Sequence, residues 1–370
     1  MTAPTARPDL ANLERPELED ALVDCGHARF RGRQVFAWIH RHGVTETDAM
    51  RNLPLALRRQ LASTFTLSTP RLVAREQSVD GTEKFLLRLA DERLIESVFI
   101  PDTPAMTLCI STQVGCAAGC TFCLTGKMGL TRHLSAGEIA GQVRALRSAL
   151  GLGDTPFNIV LMGMGEPLHN YDETMKALRI LADHHGLGLP MRRVTLSTVG
   201  LVPALERLAK EPLMPNLAVS LHAVNDDLRE RLVPLGRKYR LEDILEACRR
   251  FPLTKRRRIT FEYVLLAGVN DSPSDARQLA TLIASLKAKV NLIPLNAAAG
   301  IPFERPTDEA TNRFGRVLAE RGIIVSVRKS RGRDIRAACG QLLVEGDAAS
   351  PGQRLAALAF SASGPVTHVT

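Results

Sequence analysis

The sequence predicts an α/β protein, a barrel-like or doubly wound parallel sheet preceded by a small, basic, helical domain. Two observations carry this. From about residue 106, β-rich apolar runs recur: MTLCIST, FNIVLMG, RVTLSTV, NLAVSLH, RRITFEYVLL and KVNLIPL. Helical patterns such as AGEIAGQVRALRSAL, DETMKALRILADHH and SDARQLATLIASLKAK separate them. Strands alternating with helices pair in parallel. The second observation is the helical periodicity from Pro16 to about Phe65, broken at Gly26, Gly43 and Pro54. A chain of 370 residues has room for one barrel-sized domain and a smaller companion. Its 45% hydrophobic and 24% charged residues suit a chain that buries a core.

In chain order, residues 1 to about 14 read as a loose tail and the helical segment follows. Nine arginines stand between Arg29 and Arg75 (29, 31, 33, 41, 51, 58, 59, 71 and 75), against only Glu46 and Asp48. Guanidinium forks suit phosphate oxygens, so this segment reads as a phosphate-contacting module rather than a merely solvated face. The Asp80-Gly81 turn leads into EKFLLRL and then LIESVFI, a β-meander. The expected boundaries are a helical basic domain over 1–78, a β linker over 79–101 and a core with its C-terminal catalytic segment over 102–345. A final strand, IIVSVRKS, and the stretch DIRAACGQLLV close that core, and 346–370 reads as a flexible tail.

Bulk properties narrow the classes. Lys and Arg total 48 against 39 Asp and Glu, a net charge of +9. That excess is compatible with a polyanionic partner without requiring one. No run of eighteen apolar residues occurs, and the first twenty residues lack the apolar stretch of a secretory signal. A cytoplasmic protein without membrane contact is expected. Thiols stay reduced there, so clustered cysteines mean metal or redox chemistry rather than structural staples.

Such a cluster exists. GCAAGCTFC puts Cys116, Cys120 and Cys123 directly after the strand MTLCIST, in the spacing C-x3-C-x2-C. Sites in parallel α/β folds lie at the carboxyl ends of strands, and Gly115 and Gly119 let the backbone wrap a bulky group. A structural zinc site wants four ligands, and the nearest candidate, His133, is distant in sequence. A 4Fe-4S cluster held by three thiolates accounts for the missing ligand, because its fourth iron stays open. Later strands also end in polar groups. MGMGEP carries Gly165 and Glu166, whose carboxylate suits a cofactor ammonium group; LSTVG carries Ser197; VSLHA carries Ser220 and His222; NLIPLN ends in Asn296. Singly, each reads as a cap or a satisfied partner. Four successive strands presenting them at one end read as a site.

The three-cysteine motif, with Phe122 before its last cysteine, resembles the signature of the radical S-adenosylmethionine (SAM) superfamily. With LSAGEI, GMGEP and RKSRGRDIRAACGQL in this order, the chain from about Phe30 to Leu343 resembles the RlmN family of RNA methyltransferases. One departure is visible. The family commonly has an aromatic residue and then Asn-Pro after NLIP, where this chain has Leu295-Asn296-Ala297.

The resemblance implies a partial (β/α)6 barrel of the radical-SAM type with a helical RNA-binding domain. It implies a 4Fe-4S cluster on Cys116, Cys120 and Cys123, and S-adenosylmethionine bound by Gly165, Glu166, Ser197, Ser220, Leu221, His222 and Asn296. Two S-adenosylmethionine molecules are used. Cys339 takes a methyl group from one, and the other yields a 5′-deoxyadenosyl radical that abstracts hydrogen from that methyl. The carbon radical adds to adenine, Glu96 accepts a proton, and Cys109 releases the product through a transient disulfide with Cys339. Without the resemblance Glu96 would read as a strand-edge carboxylate; Cys25 and Cys248 read as buried hydrophobes. The implied reaction is methylation of adenine C2 in 23S rRNA and in certain tRNAs by a monomer served by an electron donor such as flavodoxin. Lys255, Arg256, Arg257 and Arg258 are candidates for further phosphate contacts. The alternatives are a Cfr-like adenine-C8 methyltransferase, a zinc-stabilised RNA-binding protein without catalysis, and a radical enzyme acting on a small metabolite.

Overall fold

The computed structural model describes residues 7–103, 105–254 and 256–344. The expected flexible tail, 346–370, and Lys255 lie outside these. Three helices, α1 (Arg15–Asp24), α2 (Phe30–His40) and α3 (Leu55–Thr64), form the N-terminal module. They bury one face, including Leu18, Leu22, Val35, Phe36, Ile39, Leu57 and Leu61, and leave the arginines outside. Proline at the start of α1 fits there because the first helical N–H groups lack intrahelical acceptors.

A single ten-stranded sheet follows, in the order β1-β2-β3-β4-β7-β8-β9-β10-β11-β12. Its antiparallel part is β1 (Arg71–Gln77), β2 (Glu83–Arg88) and β3 (Leu94–Thr103), joined to β4 (Ala105–Cys109). From β4 on, every pairing is parallel: β7 (Asn158–Leu161), β8 (Val194–Thr198), β9 (Asn216–Ser220), β10 (Ile259–Leu265), β11 (Ala288–Pro294) and β12 (Val325–Val327). A small hairpin, β5 (Gln113–Gly115) with β6 (Leu130–His133), frames the cysteine loop. The crossovers contain α5 (Ala136–Leu150), after the short α4 (Leu124–Lys127), then α6 (Tyr171–Ala182), α7 (Val202–Leu208), α8 (Asp226–Leu232), α9 (Leu241–Arg250), α10 (Pro273–Ile283) and α11 (Asp308–Glu320). This is the radical-SAM type of partial barrel, six strand-helix units and a seventh strand.

The antiparallel strands are part of this sheet, not a linker. Arg71 and Arg75, grouped on sequence with the helical module, lie on β1. LSAGEI supplies the N-terminus of α5: Ser135 caps it and Glu138 completes the capping box. Its Gly137 is required by contact, since a Cβ there would meet the Ala11 backbone at 2.9 Å, and its N–H donates to Asn12 Oδ1 at 2.8 Å. The motif therefore docks the N-terminal module onto the core.

The sheet does not close on itself. The last described residues cross the gap between its two ends. Ser78 Oγ donates to Asp334 at 2.6 Å, Gly332 N–H to Asp80 at 3.0 Å and Leu343 N–H to Glu96 at 2.8 Å. No helix among the described residues is long and apolar enough to cross a membrane.

Candidate active site

The cysteine loop is shaped by glycine. Gly115 has φ +77°, and a Cβ there would fall 1.9 Å from Gly129 O, so the next N–H, that of Cys116, can donate to the same oxygen at 2.9 Å. Thr121 N–H donates to Leu232 O at 2.9 Å, anchoring the loop to α8. Gly115→Ala is expected to cost about 1–2 kcal/mol for a side chain at positive φ alone, more for the clash with Gly129 O, and to reduce iron and sulfide bound per chain after anaerobic reconstitution. Full iron loading in that variant would contradict the reading.

Cys116, Cys120 and Cys123 line one wall of a cavity of about 160 Å³. Burial pushes the Cys116 thiol up to about 12 and raises Cys120 and Cys123 too, so these sulfurs are held neutral unless a cationic centre binds them. Gly165, Glu166, Ser197, Ser220, His222 and Asn296 line the same cavity. Gly165 has φ +105° and a Cβ there would meet Gln113 Cβ at 2.6 Å, so glycine is needed on both counts. Glu166 Oε1 accepts from Leu168 N–H at 3.0 Å and Oε2 from Val199 N–H at 2.8 Å. Burial lifts its pKa to about 7, against these hydrogen bonds, which favour the anion. His222, at φ +63°, accepts from Val264 N–H through Nδ1 and packs edge-on against Phe122 at 4.8 Å. Burial, then Arg229, lowers its pKa to about 3, so it is a neutral imidazole.

Cys339 lines this cavity too, on a segment that lies against Cys123. Asn296 Nδ2 donates to its carbonyl at 3.2 Å, and Leu124 N–H, one residue past Cys123, donates to Gly340 O at 2.8 Å. Cys109, at the end of β4, is buried behind it. Its thiol is pushed up to about 12 by burial first and by Cys339 second. All seven cysteines are free thiols, so the expected transient pairing of Cys109 with Cys339 is not formed here. Cys248 is buried in the core as expected, whereas Cys25, at the C-terminal cap of α1, is only half-buried.

Two site expectations differ from the geometry. Leu221 is fully buried in the core, and only its neighbours Ser220 and His222 line the cavity; alternation along a strand end turns its side chain away. Glu96 lines neither this cavity nor the larger one beneath it. Its carboxylate accepts from Leu343 N–H and pairs with Lys84 at 3.3 Å. Burial raises the Glu96 pKa from 4.5 to about 7, opposed by Lys84. A carboxyl group that holds its proton longer when folded stabilises the fold fully below its unfolded pKa and loses that contribution as pH rises through its folded pKa. Glu96→Gln is therefore expected to flatten the fall in melting temperature between about pH 4.5 and about pH 7, a difference of about 3 kcal/mol if Glu96 acts alone. An unchanged slope would refute this.

The basic module is only partly free. Arg29 and Arg33 pair with Glu19, Arg71 with Glu92 and Arg75 with Glu83, while Arg41, Arg51 and Arg59 are exposed. Of the basic run, Arg257 braces the backbone of Met214 and Pro215, and Arg256 and Arg258 are exposed. Reasoning from sequence missed Gln113, Glu262 and Arg328. Gln113 holds Glu166 N–H at 2.9 Å, and the other two line the cavity.

The donor set fits an iron-sulfur cluster with S-adenosylmethionine. Among the described residues, no three His, Cys, Asp or Glu side chains gather around a point for one metal ion. A cubane needs its thiolates spread around a larger body. Asn296 Oδ1 is buried without a hydrogen-bond partner at the cavity wall, an acceptor left for a bound donor such as an ammonium group.

Comparison with known proteins agrees. Residues 110–280 match the Radical SAM superfamily, and residues 8–67 match the ribosomal RNA large subunit methyltransferase N-terminal domain. The dual-specificity RNA methyltransferase RlmN of Anaeromyxobacter dehalogenans is 47% identical over 356 residues, covering 95% of each chain. That of Geobacter sulfurreducens is 48% identical, covering 93% of this chain and 94% of its own. A radical SAM methyltransferase from Sphaerobacter thermophilus superposes with a TM-score of 0.86 at 50% identity, covering 90% of this chain and 99% of its own.

Proposed function

The chain belongs to the RlmN family of radical SAM RNA methyltransferases, and from that premise we propose that it methylates carbon 2 of adenine in 23S rRNA and in certain tRNAs. The observation that carries this reading is that Cys339 lines the same cavity as Cys116, Cys120 and Cys123. Adenine C2 is an electron-poor amidine carbon that does not displace a methyl group from a sulfonium; a sulfur nucleophile does.

When bound, the cluster and S-adenosylmethionine supply a transferable methyl group and a one-electron route to a carbon radical. Cys116, Cys120 and Cys123 hold the cluster. Gly165, Glu166, Ser197, Ser220, His222 and Asn296 hold S-adenosylmethionine, with Leu221 fixing the strand end from the core. Cys339 accepts the methyl group on sulfur and carries it to the base. Glu96, poised near pH 7, takes the proton from the modified carbon once Leu343 N–H releases its carboxylate. Cys109 attacks Cys339 sulfur and frees the product. Arg41, Arg51, Arg59, Arg256 and Arg258 contact RNA phosphates, and the base leaves its stack to reach the cavity. The reading includes a flavodoxin-type electron donor, a cytoplasmic site of action and a monomer, for which light scattering should return a single-chain mass.

The departure at Leu295-Asn296-Ala297 keeps one second reading open, methylation at C8, although RKSRGRDI resembles the C2 group more. Mass spectrometry of RNA digested from a deletion strain separates them. Loss of 2-methyladenosine is expected; loss of 8-methyladenosine supports the second reading, and loss of neither overturns both.

A further inference from the structure

Arg328 is the one Lys or Arg among the described residues lining the cofactor cavity, and it lines the larger cavity of about 690 Å³ beneath it as well. Cys339 and Glu262 also face both. Arg328 follows β12. Its N–H donates to Leu292 O at 2.8 Å, and Nη1 reaches Met162 Sδ at 3.6 Å, beyond the end of β7. The guanidinium lies in the field of Cys339 first, then of Glu262 and Cys109, and these hold its charge against burial. Glu262 is buried and accepts from Asn291 Nδ2 at 2.8 Å; Lys289 is its other cationic neighbour.

A guanidinium opposes the binding of a sulfonium in the same cavity, so its presence there calls for a function that offsets that repulsion. The two sulfurs provide one. Each must attack as an anion, and at Cys109 burial opposes that form.

We propose that Arg328 is a positioning residue for both reacting sulfurs: countered by Glu262, it holds Cys339 toward the cavity and stabilises the negative charge that Cys339 and the buried Cys109 each carry in attack. In the first step the Cys339 thiol has given its proton to solvent. A bond forms from its sulfur to the methyl carbon, and the sulfonium carbon–sulfur bond breaks with its electron pair left on the departing sulfur. In the last step Cys109, also deprotonated, forms the S–S bond. The bond from Cys339 sulfur to the methylene on the base breaks, and its electron pair passes to that carbon, which takes a proton and becomes the methyl group.

This inference rests on the thiol roles proposed above. Its test follows the alkylation of Cys339 by iodoacetamide in anaerobic holoenzyme at neutral pH without RNA, resolved by peptide mass. Arg328→Met is expected to slow alkylation about tenfold, the rate change for about 1.4 kcal/mol of lost stabilisation of the attacking anion. Arg328→Lys should slow it less, and Glu262→Gln should speed it. Melting temperature and iron content report whether each variant folds; should Arg328→Met fail to fold, the Lys and Gln variants still decide. Wild-type rates in the arginine variants, or slowing by Glu262→Gln, overturn the proposal. If these rates behave as expected while the wild-type enzyme methylates no RNA, the RNA reading fails and the role of Arg328 stands.

Discussion

Cys339→Ala is expected to abolish RNA methylation, by roughly 10⁶-fold, the scale on which covalent catalysis fails when its nucleophile is deleted. The size of the effect follows from the site. No other thiol with a proposed catalytic role can replace it: Cys116, Cys120 and Cys123 serve the cluster, and Cys109 is buried with its thiol pushed up to about 12. The substitution removes one sulfur from a half-buried position, and the strap it belongs to keeps its backbone hydrogen bonds from Asn296 and Leu124. Iron content and melting temperature should therefore stay near wild type while transfer of labelled methyl from S-adenosylmethionine to RNA disappears. Residual methylation within a few fold of wild type would remove Cys339 from the chemistry.

Cys109→Ala is expected to do the opposite of silence: the enzyme should become attached to its RNA. Methyl transfer to Cys339 and addition to the base do not require Cys109, whereas cleavage of the sulfur–carbon bond does. Turnover should stop at about one event per chain, with a protein–RNA adduct that survives denaturing electrophoresis and maps to Cys339 by mass spectrometry. Burial beside Cys339, away from the cavity surface, is consistent with a group that acts last and on a protein sulfur. Normal multiple turnover without any adduct would end the thiol-exchange scheme.

The parallel half of the fold was legible because buried strands such as ITFEYVL read as continuous apolar runs between helical patterns. The cysteine loop was legible because three thiols and two glycines at fixed spacing have few physical uses. Strand β1 was hidden. All seven of its residues are exposed, so no alternation marks it, and Arg71 and Arg75 pointed to the basic module instead. Glu262 was concealed inside an apolar run, and Arg328 among other cations in RKSRGR; only the three-dimensional approach of β10, β12 and the Cys339 segment singles them out. The position of Glu96 away from either cavity was equally beyond reach, because it depends on Leu343, 247 residues later.

The strap carrying Cys339 is gripped by the very loop that follows the last cluster ligand: Leu124 N–H holds Gly340 O, and Thr125 Oγ holds Leu342 O at 2.7 Å. The proposed cluster ligands and the proposed nucleophile thus share a common mount. Thermal displacement of one carries the other with it, so the gap between Cys123 and Cys339 varies less than the position of either.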